Sequence, residues 1–400
     1  MGIEMGWDEL QIDTLIKTHR KTLNEELGTE GPQFPLFENP TEQHPVETSE
    51  FLSHLHLEFL DMILRELFPR LEQIKPTVHA RVRLVLFMKL QGIRYITEVY
   101  RILQTRSTVA ENLGFDPGHL PSYETIRHFI NDLLADMVDD VFYRVVREID
   151  RYLAKHGESL AKAREDATVI TAKRGDATAS YSGYYKTRGW KKDLMVSEQG
   201  IFLSYRDMAI TDDEGQALPS HLEILQENDI RLDSLIVDGG YPSYRNIAIA
   251  HCGYGTTLLY KPQQHWTYNE TGSSIAIRER YSRYWRDKRH RPNVDTEYML
   301  QFLYTKREYE RVGAWFRNHQ VHRYQANEQL RDEIAQGRNQ SESFNSYLKQ
   351  HVGFECMLPW KGAEHAFLHT TLCLLSVNLV ALTRLQNGVT EHLTSVAYLT

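Results

Sequence analysis

The sequence changes its hydrophobic period between residues 156 and 166, and this change limits the possible folds more than any other feature. Before it, apolar residues recur every three or four positions, as at Leu55, Phe59 and Met62, which indicates amphipathic helices. After it come short β-prone runs bounded by turn residues, and helical patterns return from about residue 339. The order predicts an α/β core that follows an all-helical domain.

Charge and composition divide the 400-residue chain further. Residues 1–50 hold eleven Asp or Glu and three Lys or Arg, a balance of −8 that equals the net charge of the whole chain. We therefore expect an acidic linker there, and a neutral remainder whose basic clusters can still bind phosphate groups. The predicted order continues with a helical domain at 51–156, an α/β domain at 157–385 with an irregular insertion at 262–330, and a tail at 386–400.

Cysteine usage and hydropathy exclude several classes of protein. Cys252, Cys356 and Cys373 are far apart and form no CxxC pair, which disfavours a disulfide framework or a zinc site and favours the reducing cytosol. The N-terminus is acidic and polar, so no signal peptide is expected. The apolar run at 372–382 is too short to span a bilayer and indicates a buried helix. We expect a cytoplasmic protein without a membrane partner.

Two short helical patterns, at 107–115 and 122–129, are separated by a turn that contains proline. A short helix, a turn and a second helix capped by Ser122 are typical of a helix-turn-helix that binds DNA. Many helical bundles share this pattern, so a purely structural role is equally open.

A charged stripe stands out in the helical pattern around residue 342. At 100° per residue, Arg338 lies about 40° and Lys349 about 20° from Glu342 around the helix axis. The stripe indicates a surface that contacts a ligand. The alternative is a solvated face with ion pairs inside the helix, since Arg338 and Glu342 are four residues apart.

Two aspartates accompany predicted strands. Asp238 ends the apolar run 235–237 and precedes two glycines, so it suits either a site at the end of a strand or a tight turn. Asp166 opens the β-prone run 166–172, and Asp176, in a second Asp-Ala-Thr, is an alternative for the same role. Three carboxylates brought together could hold two Mg²⁺ ions for phosphodiester cleavage.

Two stretches combine basic and aromatic residues, as nucleic-acid surfaces do. The first lies within 180–193 and contains Lys186, Arg188, Lys191 and Lys192. The second lies within 278–291 and contains Arg278, Arg280, Arg283, Arg286 and Arg289. Each stretch is predicted to contact DNA, and each could instead be a solvated loop.

Four motifs occur in an order that resembles a known family. They are Asp166-Ala-Thr-Val-Ile, the segment 184–191, Val237-Asp238-Gly239-Gly240-Tyr241, and Arg338-x3-Glu342-x6-Lys349. Together they resemble the DDE-type transposases of bacterial and archaeal insertion sequences, in the branch with a Tyr-x2-Arg-x3-Glu-x6-Lys signature. Ala335 stands where that signature has Tyr.

The resemblance implies an RNase H-like catalytic core with an insertion. In it Asp166 would lie on the first strand, Asp238 after the fourth, and Glu342 on a helix beyond the insertion. It implies two Mg²⁺ or Mn²⁺ ions on these three carboxylates, with Arg338 and Lys349 facing the DNA backbone. The implied activity is cleavage at the inverted-repeat ends of double-stranded transposon DNA and strand transfer into target DNA, by a homodimer bound to DNA.

Two other functions fit the same residues. An RNase H-like nuclease or resolvase would cut DNA without joining it. A catalytically silent regulator descended from a transposase would only bind DNA, and this function predicts a broken set of carboxylates.

Overall fold

Helices precede and follow a mixed sheet in this chain. The computed structural model describes residues 45–61, 71–93, 95–131, 135–263, 266, 306–354 and 361–395. The helices are α1 (Pro45–Ser53), α2 (Leu71–Leu90), α3 (Ile96–Thr105), α4 (Ser107–Leu113), α5 (Tyr123–Asn131), α6 (Ala135–Lys155), α7 (Leu218–Glu227), α8 (Tyr244–Ala248), α9 (Lys306–Ala326), α10 (Glu328–His351) and α11 (Ala363–Gln386). The strands are β1 (Lys162–Thr171), β2 (Ser180–Ser182), β3 (Thr187–Ser197), β4 (Phe202–Ala209), β5 (Ser234–Val237) and β6 (Thr257–Leu259).

The strands form one sheet in which β3, β1, β5 and β6 lie side by side in that order. β2 and β4 both pair with the other edge of β3. β1 runs antiparallel to β3 and parallel to β5, and β5 runs parallel to β6. The predicted α/β class is therefore confirmed.

β3 and β4 form a hairpin around Glu198-Gln199-Gly200, a connection that the glycine between two β-prone runs predicts. Its backbone closes through the amide of Ser197, which donates to the carbonyl of Ile201 at 2.8 Å. Gly200 has a φ of +84°, a conformation that glycine adopts without steric cost. This turn therefore helps to set the register in which β3 pairs with β4.

The prediction that the first strand opens at Asp166 is wrong, because β1 begins four residues earlier, at Lys162. Polar residues occupy its first half, and tertiary contacts explain why. Arg164 is buried, donates to Gln340 on α10, and lies over the ring of Phe344 at 5.6 Å. A helix that supplies polar partners allows a strand without an apolar pattern.

The helices around the predicted helix-turn-helix are also present. α4 ends at Gly114, whose φ of +94° closes the helix, and the Ser122 hydroxyl accepts a hydrogen bond from the amide of Thr125 at 3.2 Å. One buried apolar cluster joins these helices to α6 and the sheet, so the predicted boundary near residue 157 does not separate two cores. DNA reading by this motif stays a prediction.

Helix α11 contains the apolar run at 372–382 and is buried, as predicted. It is long and apolar enough to cross a membrane, yet 94% of its most apolar stretch is buried inside the protein, as in a core helix. It packs chiefly against α6. Its Asn378 side chain accepts from the amide of Phe202 at 2.9 Å and donates to the carbonyl of Phe202 at 2.8 Å.

Helices return earlier than the pattern indicated. α10 begins at Glu328 instead of about 339, because the Asn327 side chain caps it by accepting from the amide of Leu330 at 3.1 Å. α9 occupies the second part of the predicted insertion at 262–330. The boundary predicted for these helices was therefore too late in the chain.

Candidate functional site

Helix α10 lies against β1 and β5. Its approach is close because Gly337 faces Ile236 on β5, and a Cβ at Gly337 would overlap the Ile236 Cδ1 atom. Arg164 on β1 holds the same helix through Gln340. These contacts determine which residues of α10 stand over the two strands.

Asp166 and Asp238 are neighbours across the sheet. β1 and β5 are parallel, and Glu165 pairs with Val237. Asp166 follows Glu165 and Asp238 follows Val237, so the two aspartates lie next to each other. Adjacent strands lie about 4.8 Å apart. The prediction that Asp238 follows a buried strand is confirmed, because β5 ends at Val237.

The two aspartates are both contacted from α10. The Asn345 amide donates to Asp166 Oδ2 at 2.8 Å, and the Arg338 guanidinium pairs with Asp238 Oδ1 at 2.8 Å. Glu342 lies four residues after Arg338 and three before Asn345, so it shares their helix face, and it is exposed. The structure therefore brings Asp166 and Asp238 together beside α10, and the approach of Glu342 to them stays a prediction.

Negative charge is concentrated around Asp166. Burial first, and then the carboxylates of Asp193, Glu214 and Asp238, raise the pKa of Asp166 to about 7, against a hydrogen bond from the Ala167 amide that lowers it. Glu214 is a carboxylate that the sequence patterns did not single out. A cation at this position would be stabilised by the same charges.

A different group of ligands is more compact. Among the described residues, Glu165, Asp193 and His221 form the group whose ligand atoms all lie within 4.8 Å of one another. Asp166, Asp238 and Glu342 are not gathered that closely in the described chain. Glu165 and Asp166 are consecutive in β1, so their side chains point to opposite faces of the sheet. The buried group therefore lies on the face of the sheet opposite Asp166. Asp166, Asp238 and Glu342 are called the surface carboxylates below.

The buried group is a hydrogen-bonded network. His221 Nε2 lies 3.2 Å from Asp193 Oδ1, and its Nδ1 lies 2.9 Å from the Ser204 hydroxyl. The Tyr241 hydroxyl donates to Asp193 Oδ2 at 2.6 Å. Burial, followed by the negative charge of Asp193, raises the pKa of Glu165 well above its usual range. Burial lowers the pKa of His221.

Sequence patterns missed this network because its members lie far apart in the chain, on β1, β3 and α7. Each looks ordinary alone: Asp193 was an end of a basic segment, and His221 one of 18 histidines. A polar residue at an inward position of a strand is the one available signal. Strand pairing brings the members together, and no local pattern in the sequence specifies that pairing.

The basic residues predicted to bind DNA lie in different environments. Lys186 and Arg188 are exposed, beside Tyr184, which is 86% exposed. Lys349 is half-buried on α10. Arg278, Arg280, Arg283, Arg286 and Arg289 lie outside the described residues.

The prediction that Lys191 and Lys192 bind DNA is wrong, because both side chains are buried in β3. Lys191 Nζ lies 3.2 Å from Glu214 Oε1 and donates to the Asp212 carbonyl at 2.7 Å. Lys192 Nζ pairs with Asp207 Oδ1 at 2.5 Å, and its side chain is fully buried. These two lysine side chains are buried and pair with partly exposed carboxylates, so they are not free to contact DNA.

Asp176, the alternative to Asp166 as a metal ligand, makes structural hydrogen bonds instead. Its carboxylate accepts from the amide and hydroxyl of Thr178 at 2.9 and 2.7 Å and from the amide of Gly362 at 2.7 Å. These hydrogen bonds lower its pKa, the Thr178 hydroxyl most of all. Asp176 therefore ties the loop after β1 to the start of α11.

Comparison with known proteins adds no family. No protein-family model matches the chain, and no curated protein sequence matches it at a significant level. A function for this chain therefore has to be inferred from the geometry of the site.

Proposed function

We propose that this protein is a DDE-type DNA transposase with an RNase H-like core, in which Asp166, Asp238 and Glu342 hold divalent metal. One observation carries the proposal: α10 packs on β1 and β5 with Arg338 on Asp238 and Asn345 on Asp166. Glu342 lies between Arg338 and Asn345 in the sequence and on the same helix face, which supports a shared site for the three carboxylates.

The strand order supports the fold assignment. Leaving aside the three-residue β2, the order is β4, β3, β1, β5, β6, with β3 antiparallel to β1 and β1, β5 and β6 parallel. An RNase H-like sheet has this order, with its first carboxylate on the central first strand and its second after the fourth. The helix that carries Glu342 packs on the same two strands.

The donor set fits Mg²⁺ or Mn²⁺. Asp166, Asp238, Glu342 and the adjacent Glu214 offer only oxygen ligands, and Asp238 is half-exposed, which leaves room for bound water. Two such ions would neutralise the scissile phosphate and activate a water or a 3′-hydroxyl. In this chain Asn345 orients the Asp166 carboxylate, and Arg338 supplies a positive charge beside Asp238. Lys186 and Arg188 provide exposed charge for the DNA backbone.

The test uses the full-length chain and short duplexes that carry inverted repeats sought in the DNA beside its gene. With Mg²⁺ we expect cleavage at the repeat ends and joining to a second duplex. Asp238→Asn and Glu342→Gln should each abolish cleavage while DNA binding stays near wild type. Asp332→Asn, which changes an exposed carboxylate on the same helix, is the matched control and should cleave normally.

Other outcomes separate the competing functions. Hydrolysis without joining, with every end sequence tried, would favour a nuclease or resolvase. Specific DNA binding without any cleavage would favour a regulator. Normal cleavage by Asp238→Asn or Glu342→Gln would remove the role proposed for that residue.

A further inference from the structure

The buried network under the surface carboxylates has the composition of a metal centre. Glu165 on β1, Asp193 on β3 and His221 on α7 are all fully buried. We propose that these three side chains bind one transition-metal dication, with Zn²⁺ the best fit, at a structural site separate from the carboxylates of Asp166, Asp238 and Glu342. The proposal does not depend on the proposed transposase activity.

The spacing of the ligand atoms suits such an ion. Bonds of about 2.0–2.1 Å in a tetrahedral zinc site place ligand atoms about 3.4 Å apart. His221 Nε2 lies 3.2 Å from Asp193 Oδ1 and 3.9 Å from Glu165 Oε1. Small side-chain movements are therefore enough to bring all three ligands to bonding distance.

Two of the ligands are oriented from outside. Ser204 Oγ lies 2.9 Å from His221 Nδ1, so a proton on Nδ1 can be donated to it, which leaves the Nε2 lone pair for the metal. Tyr241 donates to Asp193 Oδ2 and leaves Oδ1 directed at His221. Outer hydrogen bonds of this kind fix the tautomer and orientation of metal ligands in proteins.

The third ligand has an unmet electrostatic need. Among the described residues, no group makes a hydrogen bond of ordinary geometry to either of the buried carboxylate oxygens of Glu165. Burying such a group without a partner is unfavourable. Its near neighbours are the Asp193 carboxylate and the His221 ring, and neither supplies a fixed positive charge. A dication bound between the three would satisfy Glu165 and offset its repulsion from Asp193.

The location suggests what the ion does. It would join β1, β3 and α7 on the face of the sheet opposite the Asp166 side chain. The ligands have no measurable exposure, so the site is closed to substrate, as structural zinc sites are. We assign it to holding the sheet in register under the surface carboxylates.

The experiment measures metal in the purified full-length protein. Wild type, prepared without chelator, should carry near-stoichiometric Zn²⁺ by elemental mass spectrometry. It should also take up Co²⁺ with visible absorption bands of the intensity typical of a four-coordinate site. Asp238→Asn and Glu342→Gln are the controls for the surface site and should retain both signals. His221→Gln should lose both.

Gentler variants cover the case in which His221→Gln fails to fold. Tyr241→Phe and Ser204→Ala keep all three ligands, and each should weaken Co²⁺ affinity by about 10–100-fold, with the absorption bands unchanged in kind at saturation. Folded wild type that binds neither Zn²⁺ nor Co²⁺ overturns the proposal. Retention of the Co²⁺ bands by folded His221→Gln, or their loss in Asp238→Asn, overturns it as well.

Discussion

The Arg338 guanidinium lies 2.8 Å from Asp238 Oδ1 and joins α10 to the end of β5. The two side chains are 38% and 50% exposed, so water screens the attraction. Exposed ion pairs contribute about 0–1 kcal/mol to stability. The pair is therefore a poor explanation for the fold, and its geometry is better explained by a role at the site.

Arg338→Gln should accordingly change the free energy of unfolding by less than about 1 kcal/mol but sharply reduce cleavage. It should also lower the salt dependence of DNA binding by about one unit of slope, as the loss of one phosphate contact does. Urea titration and binding at several salt concentrations measure the two effects. Arg331→Gln is the contrast, because Arg331 donates to the carbonyls of Tyr324 and Gln325 and should affect stability instead.

Asn345 should act through Asp166, since its amide holds Asp166 Oδ2 at 2.8 Å. Asn345→Ala frees that oxygen, and we expect the Mg²⁺ concentration for half-maximal cleavage to rise about 10–100-fold, as after loss of other groups that orient metal ligands. DNA binding should stay unchanged. Asn339→Ala, also on α10 and exposed, is the control, and equal effects from both variants would argue against this role.

Gly337 allows α10 to approach β5. In Gly337→Ala the new methyl would overlap Ile236 Cδ1 and lie 3.2 Å from Ile236 Cγ2, so overpacking should destabilise the protein by about 1–3 kcal/mol. Ile236→Val removes the Cδ1 atom. The double variant should recover most of the loss in thermal unfolding, and purely additive effects would show that the two residues do not interact.

The Asn378 side chain hydrogen-bonds the backbone of Phe202 at the start of β4, as a neighbouring strand would. Asn378→Leu keeps the size but leaves the amide and the carbonyl of Phe202 without their side-chain partner, at about 1–3 kcal/mol for each buried group. Chemical denaturation measures the loss. Ser376→Ala is the matched control on α11, because the Ser376 hydroxyl donates only to a carbonyl of its own helix, that of Leu372, and should matter little.

His251 should make stability depend on pH. Its ring stacks on Phe316 at 4.2 Å, and burial, helped by His319 and Arg323, lowers its pKa from 6.5 to about 3. Between these values the unfolded chain takes up a proton that the folded chain does not, so stability falls as pH decreases from about 6.5 towards 3. The limiting slope is about 1.4 kcal/mol per pH unit. His251→Phe keeps a stacked ring and should remove that share of the slope.

Local patterns were enough to predict much of the architecture. The hairpin at 198–200, the strand before Asp238 and the charged face around Glu342 each depend on residues within one or two turns of the chain, so the sequence carries them directly. Side-chain roles that depend on distant partners were not predictable. Lys192 looks like a DNA contact until strand pairing sets Asp207 beside it, and Glu165 looks like a surface carboxylate until α7 covers it.

The adjacency of Glu165 and Asp166 has an evolutionary consequence. Side chains alternate along a strand, so inserting or deleting a single residue in β1 before this pair would exchange the inward and outward carboxylates at one stroke. Such a change would turn Asp166, the partner of Asn345, into the core, and would turn Glu165, the neighbour of His221, towards α10. Related chains should therefore tolerate length variation in the loops around β1 but keep its number of residues invariant up to Asp166.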